Sequence, residues 1–176
     1  EWKRNTQLTL YRISGNSPLT AIVGKLLPQT LVFWLIAILY AVYFYRYLQY
    51  PCNSGLLPMI LIGMLTVLGA QGLATFLFGV SGQMRLSMCL CSLWGILSFS
   101  LAGFTFPVTA MDGILQKLSV LFPLRHYYLL YVNQALNGYS IVYVWQSLLA
   151  MVIFVLLPLL TLRHYRSLFL HHKYIP

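Results

Sequence analysis

Four long runs of apolar residues constrain this chain more than any other feature of its sequence. They cover residues 26–48, 56–80, 88–106 and 141–162, and the last three contain no charged residue. A helix needs about 20 apolar residues to cross a bilayer. Only 7% of all residues are charged, whereas ordinary soluble domains carry about 25%. The sequence therefore predicts an all-α, polytopic membrane protein with four transmembrane helices.

The basic residues lie beside these runs, and their placement predicts the orientation of the chain. The net charge is +9, but basic residues that flank apolar runs indicate contact with lipid head groups rather than with nucleic acid. Cytoplasmic loops carry an excess of Lys and Arg. We therefore expect both ends of the chain, and the loop between the second and third spans, to be cytoplasmic. These regions contain Lys3, Arg4, Arg12, Lys25, Arg85, Arg163, Arg166 and Lys173.

The segment 107–138, between the last two predicted spans, is too broken by proline for a span and too apolar for a loop. Thr109 and Asp112 fit the capping-box pattern at the start of a helix, and this helix is expected to stop at Pro123. A second helix is expected to end at Asn137-Gly138. Each has about a dozen residues and a length of about 18 Å, too short for a hydrocarbon core about 30 Å thick. We expect an outward-facing, re-entrant pair of short helices.

Asp112 is the only acidic residue after Glu1, and two interpretations of it stay open. An acid within the membrane region is by default a functional candidate, such as a proton relay. An acid in the first turn of a helix also stabilises that helix by facing its positive end. The capping interpretation is favoured, because the pattern around Thr109 explains Asp112 without any further role.

Small residues recur at helical spacing in the second and third spans, and such stripes let membrane helices approach closely. Close packing is the favoured interpretation of both stripes, and a translocation path is the alternative. The residues offered for such a path are Gly95, Ser98, Phe99 and Ala102.

The polar residues do not form a recognisable catalytic or metal-binding set. Catalytic triads need an acid, a base and a nucleophile, and the only acids are Glu1 and Asp112. The glycine-rich phosphate-binding pattern that ends in Lys and Ser or Thr is absent from the sequence. We expect neither an enzyme nor a metal site, and any ATP must be bound by another chain.

Two segments together resemble the ABC-2 type permeases, the membrane subunits of one class of ATP-binding cassette exporters. The first is similar to the cytoplasmic segment of that family, and the second is similar to its outward-facing hairpin between the last two spans. The first match consists of Glu1, Arg4, Asn5-Thr6, Leu10, Pro18 and Gly24-Lys25. The second consists of Phe106-Pro107, Met111, Pro123 and His126-Tyr127. Asn5 stands where the family usually has glycine.

The resemblance implies a subunit with six spans, of which residues 1–176 are the C-terminal part and hold the last four. Residues 1–16 would be an amphipathic cytoplasmic connecting helix, and residues 163–176 a cytoplasmic tail. The expected interface with the ATPase is Glu1, Arg4, Thr6, Leu10, Arg12 and Arg85. The expected outer closure is the hairpin, with Phe106, Pro107, Thr109, Met111, Asp112, Pro123, His126 and Tyr127.

The resemblance also implies the partners and the role of the chain. The partners would be an ATPase subunit that binds ATP and Mg, a second permease subunit in a homo- or heterodimer, and the lipid of a plasma (bacterial inner) membrane. The role would be export of an amphiphile, drug, lipid or glycan, with no cofactor bound to this chain. A channel, an ion-coupled transporter or a non-transporting scaffold subunit remains the alternative.

Overall fold

The computed structural model describes residue 9, residues 12–15 and residues 17–171, and this part of the chain is helical. Helix α1 (Pro18–Val42) continues as a π-helix (Tyr43–Tyr47) and is followed by α2 (Leu56–Ser81) and α3 (Met84–Leu101). A 3-10 turn (Val108–Ala110), α4 (Gly113–Ser119), α5 (Pro123–Tyr131) and a π-helix (Val132–Asn137) then form the hairpin. The described part of the chain ends with a 3-10 turn (Ile141–Val144), α6 (Trp145–Leu156), a second 3-10 turn (Leu157–Thr161) and α7 (Leu162–His171).

Within the residues that the structure describes, four stretches are long and apolar enough to cross a membrane, which confirms the predicted number of spans. They are Pro18–Tyr47, Leu56–Ser81, Met84–Leu101 and Val142–Arg166. The chain is therefore a membrane protein with an all-helical fold.

The first and third spans begin earlier than the sequence predicted. The first begins at Pro18 rather than at residue 26, because the helix runs on through both Lys25 and Pro28. Lys25 is exposed, and its long stem can carry the charge away from apolar surroundings. The third span begins at Met84 and stops at Leu101 instead of covering residues 88–106. Gly103 then turns the chain with φ +101°, a conformation that favours glycine.

Helix α2 is the centre of the bundle and packs against α1, α3, α5 and α6. Its buried face includes Gly69, Gly72 and Gly79. A Cβ atom at Gly72 would overlap the carbonyl oxygen of Phe154 on α6, and one at Gly79 would lie 2.6 Å from Thr161 Oγ1. The stripe of small residues on α2 is thus a packing surface for the last span, as the favoured interpretation predicted.

Helix α1 lies at the edge of this bundle. Ala21 is its buried residue, and it packs with Tyr165 at the end of the bundle far from the hairpin. The Tyr165 hydroxyl donates a hydrogen bond of 2.6 Å to the carbonyl of Thr75 on α2. Most large apolar side chains of α1 are exposed on the isolated chain, so this helix offers a broad surface to lipid or to another subunit.

Candidate functional site

The hairpin begins with a 3-10 turn, and this places its cap differently from the sequence prediction. Thr109 lies inside the turn Val108–Ala110, and Met111 is extended with ψ 152°. Asp112 is the N-cap of α4, and its Oδ1 accepts a hydrogen bond of 2.9 Å from the Gly113 N–H. The prediction that Thr109 caps this helix is therefore wrong. Aspartate is as good an N-cap as threonine, and the extended Met111 separates the two candidates.

Helix α4 ends at Ser119 rather than at Phe122, which corrects the predicted extent of the first hairpin helix. Ser119 is fully buried, and its hydroxyl donates a hydrogen bond of 2.6 Å to the carbonyl of Gln116 in the preceding turn. The chain then turns through residues 120–122, and Pro123 starts α5 in the first helical position. Proline suits that position because its missing N–H would be unpaired there anyway.

His126 joins the turn between the hairpin helices to the last span. Its side chain is 5% exposed, its Nε2 lies 2.8 Å from the Val120 carbonyl oxygen, and its ring centroid lies 6.2 Å from that of Phe154. Burial lowers the pKa of His126, the bond to the Val120 carbonyl opposes this, and the charge of Arg125 lowers the pKa further. Because a carbonyl oxygen only accepts, Nε2 carries a hydrogen and donates it to Val120.

Aromatic rings connect the hairpin with the end of α3. The rings of Phe104 and Tyr128 have centroids 4.6 Å apart, and Phe104 also stacks on Phe99 with centroids 6.0 Å apart. Trp94, five residues before Phe99 on α3, packs on Phe122, and the two ring centroids are 5.2 Å apart. Such pairs stabilise an interface by about 0.5–1.5 kcal/mol beyond the area they bury. The hairpin is therefore packed along the third span.

Hydrogen bonds attach the other end of the hairpin to the loop between α1 and α2. Asn53 Nδ2 donates to the carbonyl of Leu136 at 2.6 Å, and the Ser54 hydroxyl donates to that of Gln134 at 2.6 Å. The Asn53 backbone N–H also donates to the carbonyl of Ala135 at 3.1 Å. Sequence reasoning missed this tether, because nothing local links residues so far apart in the chain.

The hairpin residues singled out from the sequence divide into two groups. Phe106, Pro107, Thr109 and Asp112 are exposed, whereas Pro123 and His126 are buried and Met111 and Tyr127 lie between. Burial raises the pKa of the Tyr127 hydroxyl, and the neighbouring Tyr131 adds to this effect. The buried group holds the hairpin against the spans, and the exposed group faces away from them.

The residues expected at an ATPase interface lie only partly within the described residues. Glu1, Arg4, Thr6 and Leu10 lie outside them. Arg12 and Arg85 are both exposed, and Arg85 stands in the first turn of α3, at the end of the bundle away from the hairpin.

Two of the four residues offered for a translocation path share a cavity. Gly95 and Ser98 line a space of about 270 Å³ between α2, α3 and α5. Phe99 is 53% exposed and Ala102 is fully buried, and neither lines this space.

A larger groove of about 450 Å³ lies between α1, α2 and α6. It is mostly apolar, and a polar pair joins α1 to α2, in which Thr30 Oγ1 lies 2.7 Å from Gln71 Oε1. Thr75, one turn further along α2, donates its hydroxyl to the Gln71 carbonyl at 2.6 Å. Polar groups inside a span are costly unless they are paired, so this pair fixes the position of α1 on α2.

Residues 1–162 match the family described as "ABC-2 family transporter protein". No curated protein and no solved structure matches the chain. The match covers the first three described spans, the whole hairpin and most of the last span.

Proposed function

Because this chain belongs to the ABC-2 family of transporter proteins, we propose that it is the permease subunit of an exporter driven by ATP. It carries the membrane domain of that family, which typically has no catalytic activity of its own and works with ABC ATPase subunits. In the proposed assembly, the ATPase partner binds ATP and Mg, and a second permease subunit, identical or related, completes the pathway. The assembly lies in a plasma (bacterial inner) membrane and moves an amphiphile, drug, lipid or glycan outward.

The hairpin is the observation that carries this proposal. Helix α4 has seven residues and α5 has nine, so neither can cross a core about 30 Å thick. The hairpin nonetheless contacts α2, α3, α6 and the loop between α1 and α2. A structured element that closes one end of a helix bundle without crossing the membrane suits a gate, and we propose that it closes the outer side of the pathway.

We propose that the opposite end of the bundle receives the ATPase. Residues 1–16, with Glu1, Arg4, Thr6, Leu10 and Arg12, would form the first contact, and the turn that leads to Arg85 the second. The exposure of Arg12 and Arg85 supports this, because guanidinium groups form strong bidentate pairs with carboxylates on a partner.

The coupling test compares two basic residues at opposite ends of the bundle. In proteoliposomes that contain the permease and its ATPase, Arg85→Ala is expected to lower ATP hydrolysis and transport together. Lys117→Ala on α4 is the matched control, since Lys117 is also exposed but lies on the hairpin. Equal losses for both variants would contradict the proposed interface. Transport that persists without the ATPase and follows an ion gradient would contradict the proposed exporter.

The orientation needs a separate test. In a variant whose three cysteines, Cys52, Cys89 and Cys91, are replaced by serine, one new cysteine is introduced at position 117 or 85. A maleimide that cannot cross membranes is expected to label Lys117→Cys in intact cells and to label Arg85→Cys only after lysis. The reverse pattern would place the hairpin on the cytoplasmic side and overturn its role as an outer gate.

A further inference from the structure

The cavity of about 270 Å³ between α2, α3 and α5 contains two hydrogen-bond donors that nothing in the described part of the chain satisfies. Trp94 Nε1 and Ser98 Oγ are buried and have no hydrogen-bond partner there, and Ser98 is only 5% exposed. Both side chains line this cavity. A buried polar group without a partner is destabilising, so two of them on side chains that line one apolar space indicate that something else supplies the missing bonds.

The spacing of the two donors allows one group to satisfy both. Trp94 and Ser98 stand four residues apart on α3, and side chains at this spacing lie on the same face of a helix, with Cβ atoms about 5–6 Å apart. The indole N–H is a donor only, and a serine hydroxyl can donate as well as accept. The hydroxyl of Thr66, also in the cavity wall, already donates to the Ile62 carbonyl at 2.7 Å. The partner missing from the cavity is therefore a hydrogen-bond acceptor for Trp94 and Ser98.

The remaining wall defines the charge and size of the missing group. The lining contains no charged side chain and is otherwise apolar, with Leu73 and Leu77 among its residues. Pro123 and Leu124 bring the start of α5 to the cavity, and the N-terminal end of a helix favours an electronegative group. Ala70 and Ala74 line it and are exposed, so the cavity opens to the surface of the bundle. Its volume lies near the lower end of the range of about 300–1,000 Å³ for small-molecule sites.

We propose that this cavity binds an uncharged amphiphile through a hydrogen-bond-accepting oxygen, such as the carbonyl of an ester. The Trp94 Nε1–H and the Ser98 Oγ–H donate to that oxygen, and the apolar part of the ligand lies against α2. The same chemistry is offered by the ester linkage of a bilayer lipid and by a free amphiphile in the membrane. The site does not depend on the direction of transport or on ATP.

The test measures binding of a defined ester in a membrane that contains no esters. The permease with its ATPase is placed, without nucleotide, in nanodiscs of ether-linked phosphatidylcholine. A diazirine-bearing monodecanoylglycerol is cross-linked by light, and the labelled peptides are identified by mass spectrometry. We expect saturable labelling of α2, α3 and α5 that unlabelled 1-monodecanoylglycerol displaces. The ether analogue 1-decylglycerol, which lacks the carbonyl, is expected to displace the label at higher concentrations.

Two matched pairs of variants identify the donors. Ser98→Ala and Trp94→Phe are each expected to raise the half-displacing concentration of the ester by about 2- to 12-fold, the effect of one hydrogen bond. Ser100→Ala, on an exposed residue of the same helix, and Trp145→Phe, on an exposed residue of α6, are expected to leave it unchanged. Trp94→Phe also keeps most of the packing on Phe122, so a loss of folding cannot explain the result for both variants.

The source of the ligand is distinguished by repeating the displacement in ester-linked phosphatidylcholine. A higher half-displacing concentration there identifies the bilayer lipid as the occupant, and an unchanged one identifies the free amphiphile; either result supports the site. Labelling that does not saturate in the cavity overturns the proposal. So does displacement that is equal for ester and ether and insensitive to Ser98→Ala, which is the result expected if the cavity holds only water or an alkyl chain. Because no nucleotide is present, these failures leave the proposed export function untouched.

Discussion

Substitution of Gly72 by alanine tests how tightly α2 and α6 are joined. The new Cβ atom would overlap the carbonyl oxygen of Phe154 and lie 3.1 Å from both the Phe154 carbonyl carbon and the Val155 Cα. Carbon atoms pack best at about 3.5–4.0 Å. All three contacts are backbone atoms, so no rotamer change can relieve them. The two helices must separate by about 1 Å, which breaks contacts along their shared surface.

The expected cost follows from two opposing terms. Overpacking of this kind destabilises by about 1–3 kcal/mol, and a backbone clash belongs at the upper end. Alanine recovers up to about 1 kcal/mol of helix propensity relative to glycine. The net loss is therefore about 2 kcal/mol, which shifts the folding equilibrium by more than tenfold.

The measurement is the free energy of unfolding, obtained by titrating the protein in mixed micelles with SDS. Gly63→Ala is the control on the same helix, because a Cβ atom there would lie 3.8 Å from the Ala37 Cβ, an ordinary contact. That control is expected to be neutral or slightly stabilising. Equal free energies for the Gly72 and Gly63 variants would refute the close approach of α2 and α6 at this point.

Three further predictions concern the hairpin. Asp112→Ala is expected to destabilise α4 by about 1 kcal/mol and Asp112→Asn by much less, because asparagine also accepts from the Gly113 N–H. Hydrogen exchange of α4 measures both effects. A new pH dependence of transport in Asp112→Asn would instead support a proton relay. Acidification below about pH 6.5 is expected to destabilise the protein. The pKa of His126 is lowered in the folded state, so the folded state binds the proton less readily than the unfolded state. Thermal melts of wild type and His126→Gln as a function of pH check this, and identical pH profiles would contradict it. Asn53→Ala is expected to lower the free energy of unfolding by about 1 kcal/mol, because the hydrogen bond to the Leu136 carbonyl is lost. It is also expected to speed hydrogen exchange in the second half of the hairpin. Unchanged exchange would show that the tether is not stabilising.

The spans were predictable because hydropathy alone determines them, but their ends were not. Lys25 was counted among the cytoplasmic basic residues before a first span expected from residue 26, yet α1 begins at Pro18 and runs through both Lys25 and Pro28. A lysine near a helix end can extend its charge away from lipid. Proline removes one backbone hydrogen bond, and neighbouring groups can satisfy the carbonyl that loses its partner. Neither adjustment can be recognised from the sequence.

The hairpin was predictable in outline for a similar reason. Pro123 and the Asn137-Gly138 pair mark helix ends by backbone chemistry alone, and α5 indeed starts at Pro123 while Gly138 has φ +64°. The cap was misplaced because Thr109 and Asp112 are both good N-caps. Only the 3-10 turn around Thr109, which depends on how the hairpin meets α3, decides between them.

The candidate cavity shows where spacing stops being informative. The small residues of α3 pointed to Ser98 and Gly95, and both line the cavity. Trp94 was not among the residues offered for the path, although its position four residues before Ser98 puts it on the same face. The wall that α2 and α5 contribute depends on tertiary packing, as does the tether from Asn53 to a carbonyl 83 residues away.

The tether between Asn53 and the hairpin connects the far end of α1 to the hairpin. With its π-helical end, α1 spans 30 residues, which corresponds to a rod about 45 Å long. If such a rod tilts by about 5° around its middle, each end moves by about 2 Å. A hydrogen bond of 2.6 Å cannot stretch that far and survive. A tilt imposed at the Pro18 end must therefore pull the hairpin along, release it, or be taken up by residues 48–52 between the helix and Asn53.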